Sequence, residues 1–282
     1  MVVILNALAD MALTRVSAPL ADNIPILRAH PQRYIDHLEA SLPKAGHVQL
    51  DPDTHLSSGS LKAARRAVGG AVKAVDMVLD GKAGNAFVAM RPPGHHAERE
   101  NAMGFCLFGT VAIAALHALE ARGLSRVAIV DFDVHHGNGT QNILWDEPRI
   151  RFFSSHEMPL YPGTGGAGEQ GAHGQITNLP LPAGSTGAHY INKLETDILP
   201  ALDGFKPELI LLSAGFDAHI DDPLANLAWT DEEFAYITAR LCEAAKKHCG
   251  GRLVSALEGG YNLSTLGRLV RAHIETMQEQ CG

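Results

Sequence analysis

The stretch RVAIVDFDVHHG (126–137) places an apolar run directly before two aspartates and two histidines. The apolar run has the length of a buried strand, and the titratable residues follow where that strand ends. Four similar runs alternate with longer helical patterns along the chain: AFVAM (86–90), RIRFFSS (149–155), LILLSAGFD (209–217) and LVSALEGGY (253–261). Apolar strands that alternate with helices indicate an α/β protein with a mostly parallel sheet covered on both faces.

The segments between these runs predict helices over residues 60–81, 108–123, 188–205 and 230–251. Thr230 and Gly250 are predicted to begin and end the last of these helices, and Gly204 to end the one before it. Residues 156–187 are rich in glycine and proline, which predicts a long loop and a short edge strand beside an active site.

Polar or titratable residues follow four of the five strands: DFDVHHG, FDAHIDD, YNL and RPPGHHAE. In parallel sheets, ligands bind beyond the carboxyl ends of the strands. We therefore expect these segments to converge on one site at that edge of the sheet.

Two strand ends carry residues that can bind a metal. Side chains two positions apart in a strand point the same way, so Asp131, Asp133 and His135 share one face. Asp217 follows a second strand, and with Asp133 and His135 it gives two carboxylates and one imidazole. Three protein ligands leave a position open, as in catalytic metal sites. Such ligands suit Zn²⁺, Fe²⁺, Mn²⁺ or Co²⁺. A solvated strand end is the competing interpretation, and Asp217 favours the metal site.

Two histidines and a tyrosine complete the candidate site. His96 is the candidate general base, because imidazole titrates near neutral pH. Asp131 can accept a hydrogen bond from His95 and orient that ring. Tyr261 follows two glycines and can donate to a developing oxyanion. A surface histidine pair and a packed tyrosine are the competing interpretations. His136 is expected to be a packed, hydrogen-bonded residue.

Composition excludes some functions. The chain has 282 residues, a net charge of −8 and a pI of about 6.0, so it lacks the basic surface that nucleic-acid binding requires. Four cysteines without framework spacing predict reduced thiols that bind no metal. The sequence predicts no signal peptide and no membrane partner, and it favours a cytoplasmic location.

Six motifs resemble those of the histone deacetylase family of zinc amidohydrolases: RPPGHHAE, GFC, DFDVHHGNGTQ, YPGTG, SAGFDAH and LEGGYNL. They run from about Arg91 to Tyr261, and HHGNGTQ resembles the class II branch with its bacterial deacetylase-like amidohydrolases. The resemblance implies one deacetylase domain over residues 1–282. It also implies a three-layer αβα, arginase-like fold with a mostly parallel central sheet of about eight strands. Relatives begin with a strand and a His-Pro-Glu-Arg-Pro segment that we expect to be missing here.

The resemblance also implies roles for individual residues. The metal ligands would be Asp133, His135 and Asp217, and the catalytic residues His95, His96, Tyr261 and the orienting Asp131. The substrate channel would be lined by Gly104, Phe105, Tyr161 and Leu224. The cofactors would be Zn²⁺, with Fe²⁺ or Co²⁺ as alternatives, and a structural K⁺ with side-chain ligands Asp131 and Ser154.

Three positions refine these expectations. Weakly active relatives have histidine in place of Tyr261, so the chain is expected to be active. Asn138 stands where class I relatives have aspartate, and a neutral partner leaves His96 less basic. Leu224 replaces the glutamate of polyamine-preferring relatives, which argues against acetylpolyamines.

The predicted function is metal-dependent hydrolysis of acetyl-lysine or longer acyl-lysine amides in a peptide or protein. One alternative is an amidohydrolase of small acylated amines, and another is an inactive module that binds acyl-lysine. The sequence leaves a homo-oligomer open.

Overall fold

The computed structural model describes residues 1–281 and, for Cys281, the backbone only, so the expectation for its thiol lies outside the described residues. The first part of the chain forms α1 (Val2–Ala7), α2 (Asn23–Ile26), α3 (Gln32–Ala40), β1 (Val48–Asp51), β2 (Thr54–Leu56) and α4 (Ser60–Leu79). The middle forms β3 (Asn85–Val88), α5 (Thr110–Glu120), β4 (Val127–Asp131), α6 (Asn138–Ile143), β5 (Ile150–Glu157) and β6 (Ile176–Leu181). The remainder forms α7 (Gly187–Lys193), α8 (Leu199–Phe205), β7 (Leu209–Ala214), α9 (Asp231–Cys249), β8 (Leu253–Leu257) and α10 (Leu263–Cys281). A π-helical turn, Leu194–Ile198, joins α7 to α8.

The central sheet has six strands in the order β3-β8-β7-β4-β5-β6, and every neighbouring pair is parallel. This confirms the mostly parallel sheet. The expected count of about eight strands is wrong for the described residues, where the central sheet has six. The strands β1 and β2 pair with each other instead of joining it. They form an antiparallel hairpin in a separate two-stranded sheet.

Alternate residues of the central strands pack into two different cores. Val127 and Ile129 of β4 face a core built with α4 and α5. Ala128 and Val130, between them, face a second core that includes side chains of α9 and α10. The period of two therefore gives a sheet with apolar residues on both faces and helices on both sides. The three-layer αβα architecture is confirmed.

Most of the predicted element ends are confirmed. Thr230 caps α9, where its hydroxyl and the Glu233 carboxylate form a reciprocal capping box, and Gly250 ends that helix in the left-handed conformation. β6 is the edge strand expected within residues 156–187. The prediction for Gly204 is wrong: α8 continues through it, and Lys206 ends the helix with φ 54°.

None of the helices in residues 1–281 combines the length and apolarity that crossing a bilayer requires. Cys106, Cys242 and Cys249 are buried.

Candidate active site

Asp133, His135 and Asp217 meet at the carboxyl ends of β4 and β7. His135 Nδ1 lies 3.1 Å from Asp133 Oδ1 and 3.2 Å from Asp217 Oδ2. One ligand atom from each residue lies within 4.8 Å of the others, and all three residues are buried. The two strands are neighbours in the sheet, which explains why residues 84 positions apart in the chain can converge.

This trio fits a divalent metal. Asp217 Oδ2 is buried and accepts no hydrogen bond from the described residues, and the polar atom 3.2 Å from it is Nδ1 of His135, another candidate ligand. A buried carboxylate oxygen in this position would be stabilised by a cation between the two side chains. Burial and the neighbouring Asp133 raise the pKa of Asp217 to about 6, so a cation beside this carboxylate would favour its charged form. Two carboxylates and an imidazole are ligands that Zn²⁺ accepts. These three residues would therefore hold the metal.

Backbone N–H groups hold both carboxylates in place. His135 N donates to Asp133 Oδ1 (2.9 Å), and Gly259 N donates to Asp133 Oδ2 (2.8 Å). Val134 N donates to Asp217 Oδ1 (2.9 Å). Gly259 can come this close because it has no Cβ: a Cβ there would lie 2.1 Å from Asp217 Oδ2. The glycine therefore belongs to the support of the metal site.

The tandem histidines lie beside the trio, with their ring centroids 4.0 Å apart. His95 Nδ1 lies 3.0 Å from Asp131 Oδ2, the contact that the sequence predicts. Burial opposes the charged form of His95, but Asp133 and Asp131 outweigh it and raise the pKa of His95 to about 10. Burial and the charge of His95 hold the pKa of His96 well below its usual value. The two neighbours therefore favour opposite protonation states.

A short hydrogen-bond chain fixes the tautomer of His96. His96 Nδ1 donates to Asn138 Oδ1 at 2.8 Å. The Asn138 amide cannot turn around, because its Nδ2 donates to Glu98 Oε1 at 2.9 Å. With its proton on Nδ1, neutral His96 keeps the Nε2 lone pair available as an acceptor.

Two partly exposed aromatic side chains, Phe105 and Tyr161, lie beside the site. The Tyr161 ring lies 5.1 Å from His96 and 6.3 Å from His135. The Phe105 ring lies 6.1 Å from Tyr261, and Phe105 and Tyr161 are 42% and 36% exposed. Gly104 has φ +54°, and a Cβ there would lie 2.3 Å from the His96 ring. Tyr161 and Gly104 therefore lie against His96, and Phe105 lies against Tyr261.

Tyr261 and Leu224 share one anchor. Asp222 Oδ2 accepts from Tyr261 N (2.7 Å), and Asp222 Oδ1 accepts from Leu224 N (3.0 Å). Burial raises the pKa of the Tyr261 phenol above its usual value, so the hydroxyl stays protonated. Leu224 is 46% exposed.

The remaining predicted residues lie close by. Ser154 of β5 is the partner of Asp131 in the sheet register, so the two predicted potassium ligands are neighbours. His136 is packed as expected, with Nδ1 2.8 Å from Thr164 Oγ1 and Nε2 3.1 Å from Gln141 Oε1.

Sequence reasoning missed three acidic residues: Glu98, Asp222 and Glu258. Glu258 Oε2 accepts from the backbone N–H groups of Gly94 (2.6 Å) and His95 (3.2 Å), which holds the loop of the tandem histidines. Burial raises the pKa of Glu258 to about 7. An acidic residue at the end of the apolar run LVSAL is a signal that could have identified it.

Comparison with known proteins agrees with this site. A family model described as the histone deacetylase domain matches residues 2–277. A probable deacetylase of Archaeoglobus fulgidus is 42% identical over 84% of this chain and 66% of its own length. A histone deacetylase-like amidohydrolase of Pseudomonas aeruginosa is 41% identical over 87% of this chain and 66% of its own. The chain thus spans about two thirds of each relative. The crystal structure of the HDA15 HD domain superimposes with a TM-score of 0.92 and 33% identity, covering 98% of this chain and 82% of that one.

Proposed function

This chain belongs to the histone deacetylase family and is a hydrolase that acts on amide bonds, and we propose that it releases acetyl or longer acyl groups from lysine side chains with bound Zn²⁺. The observation that carries the proposal is the buried Asp133, His135 and Asp217 trio, with the His96 ring 5.8 Å from that of His135. Fe²⁺ or Co²⁺ would satisfy the same ligands.

A divalent metal held by the trio supplies Lewis acidity, which makes the amide carbonyl and the attacking water more reactive. His96 Nε2 takes a proton from that water, while Asn138 holds the ring in the required tautomer. The water oxygen bonds to the carbonyl carbon. The Tyr261 hydroxyl donates to the carbonyl oxygen as negative charge develops there. His96, or the His95–His96 pair, then gives a proton to the leaving amine as the C–N bond breaks. The products are a carboxylate and free lysine.

Two further residues support these roles. Asp131 keeps His95 oriented and favours its charged form, which stabilises negative charge nearby. Asp131 and Ser154 are also the side chains that we propose for a structural K⁺, since they are neighbours across β4 and β5.

The channel walls support an acyl-lysine substrate. Partly exposed Phe105 and Tyr161 suit the long apolar stem of lysine. Leu224 at the rim carries no charge, so the distal ammonium of an acetylpolyamine would find no partner there. A small acylated amine remains the alternative substrate. We also propose that residues 1–282 form one deacetylase domain, and a cytoplasmic location stays a prediction.

The test is acetate release from an acetyl-lysine peptide by the Zn²⁺-loaded chain, with and without chelator. We expect release that the chelator abolishes, and weaker release from acetylcadaverine and acetylspermidine. Tyr261→Phe and His96→Ala should lose most turnover and keep their metal. Preferential hydrolysis of the free amines would replace the lysine substrate with a small molecule. Tight peptide binding without acetate release, in metal-loaded protein, would show an inactive binding module instead.

A further inference from the structure

The turn that carries Tyr261 is held from both sides. On one side, Gly259 N donates to Asp133, a proposed metal ligand. On the other side, Tyr261 N donates to Asp222 Oδ2 at 2.7 Å, and Asn262 N donates to the same oxygen at 3.3 Å. Carboxylates therefore hold the backbone on both sides of Gly260. The second of them, Asp222, has no role in the proposed chemistry.

The Asp222 carboxylate is fully committed to backbone donors. Its second oxygen, Oδ1, accepts from Leu224 N at 3.0 Å, and Asp222 as a whole is only 7% exposed. Among the described residues, no lysine, arginine or histidine forms an ion pair with it. A largely buried carboxylate that receives N–H groups on both oxygens holds both partners in place, because hydrogen bonds from backbone N–H groups to an ionised carboxylate are stronger than those between neutral groups.

We propose that Asp222 is a positioning residue that sets the place of the Tyr261 phenol and couples it to Leu224 at the rim of the channel. This inference rests on the proposed function, in which that phenol stabilises the oxyanion. The chain offers a direct route for the coupling, because Asp222 lies five residues after the proposed ligand Asp217 and two before Leu224. The loop after β7 thus carries Asp217, Asp222 and Leu224, and the hydrogen bond from Tyr261 N to Asp222 ties the tyrosine to that loop.

Asp222→Asn tests the inference. The amide keeps one acceptor, and its NH₂ group must face the backbone N–H of either Tyr261 or Leu224, so one anchor is lost. The matched control is Asp221→Asn: the adjacent carboxylate is 58% exposed and accepts no backbone hydrogen bond among those found in residues 1–281.

We expect Asp222→Asn to lower kcat for the acetyl-lysine peptide on the order of 10- to 100-fold, since small displacements of a catalytic group have effects of this size. KM and metal content should stay near those of the parent, and Asp221→Asn should keep parental kcat. In the Tyr261→Phe background, Asp222→Asn should cause no further loss, because the phenol through which it acts is absent. The same fold-loss in both backgrounds would show a general structural role and overturn the inference.

A second readout does not depend on turnover. With ring-¹³C-labelled tyrosine, the Tyr261 signal is the one missing from Tyr261→Phe. Asp222→Asn should shift this signal and Asp221→Asn should not. An unchanged signal in Asp222→Asn would overturn the inference, whereas a parent enzyme without acetate release would overturn the proposed function alone. If Asp222→Asn does not fold, Asp222→Glu, which moves the carboxylate by one methylene, replaces it in both measurements.

Discussion

Replacing Gly259 with alanine should weaken metal binding, because the added methyl group would collide with the two proposed carboxylate ligands. The new Cβ would lie 2.1 Å from Asp217 Oδ2 and 2.6 Å from Asp133 Oδ2, where ordinary contacts begin at 3.4 Å. One or both carboxylates must therefore move by about 1 Å, well beyond the ~0.2 Å tolerance of metal–ligand distances. The φ angle of Gly259 lies outside the left-handed region, so alanine adds no backbone strain. We expect Zn²⁺ to bind on the order of 100-fold more weakly, which is about 2.7 kcal/mol.

The assay is competition for Zn²⁺ between the protein and a chromophoric chelator. Gly168→Ala is the control, because a Cβ there would meet no atom within 4 Å. Far-UV circular dichroism of the metal-free proteins shows whether each variant folds. A folded Gly259→Ala that binds Zn²⁺ as tightly as the parent would refute Asp133 and Asp217 as the ligand pair. If the variant does not fold, Asp217→Asn tests the same ligand with little change in shape.

Three further predictions concern other parts of the molecule. Asn138→Ala should lower kcat at least about 10-fold with metal content unchanged, since His96 loses the acceptor that fixes its tautomer; steady-state kinetics and metal analysis check this. Gly204→Ala should raise the free energy of unfolding by about 0.5–1 kcal/mol in urea titration, because the residue lies inside α8 with no atom within 4 Å of the added Cβ. Burial lowers the pKa of His30 from 6.5 to about 4, so the unfolded chain binds the extra proton between those values. The free energy of unfolding should therefore fall by about 1.4 kcal/mol per pH unit as pH drops through that window, and His30→Gln should remove this contribution to the slope.

The strands of the central sheet could be predicted from the sequence, because most of them are short apolar runs that are visible in a few consecutive residues. The run before Asp131 is apolar at every position, which requires helices on both faces. The predicted number of strands was wrong because it came from a family resemblance and not from a pattern in this chain. β1 and β2 are short, and β1 is partly exposed, so they carry no signal that distinguishes a separate hairpin from two central strands.

The proposed ligands could be predicted from the sequence, but the acidic residues that hold Tyr261 and Asn138 in place could not. Asp133 and His135 are two residues apart in one strand end, so spacing alone places them on one face. Asp222 and Glu98 act through contacts with residues 39 and 40 positions away, and no local pattern reports such distances. Their side chains are ordinary acids in the sequence, and only the fold shows which donors they receive.

The order of the strands explains why these particular strand ends form one site. The chain runs from β4 outward through β5 to β6 and then returns to the other side of β4 as β7 and β8. Loops leaving β4 and β7 therefore diverge, and the crevice between them is where ligands bind in open α/β sheets. β3 lies three strands from β4, yet its loop delivers His95 to Asp131. The loop must cross the end of β8, and there Glu258 accepts the N–H groups of Gly94 and His95. The buried Glu258 carboxylate at that strand end thus anchors the loop on its way to Asp131, a structural role that is separate from the chemistry at the metal.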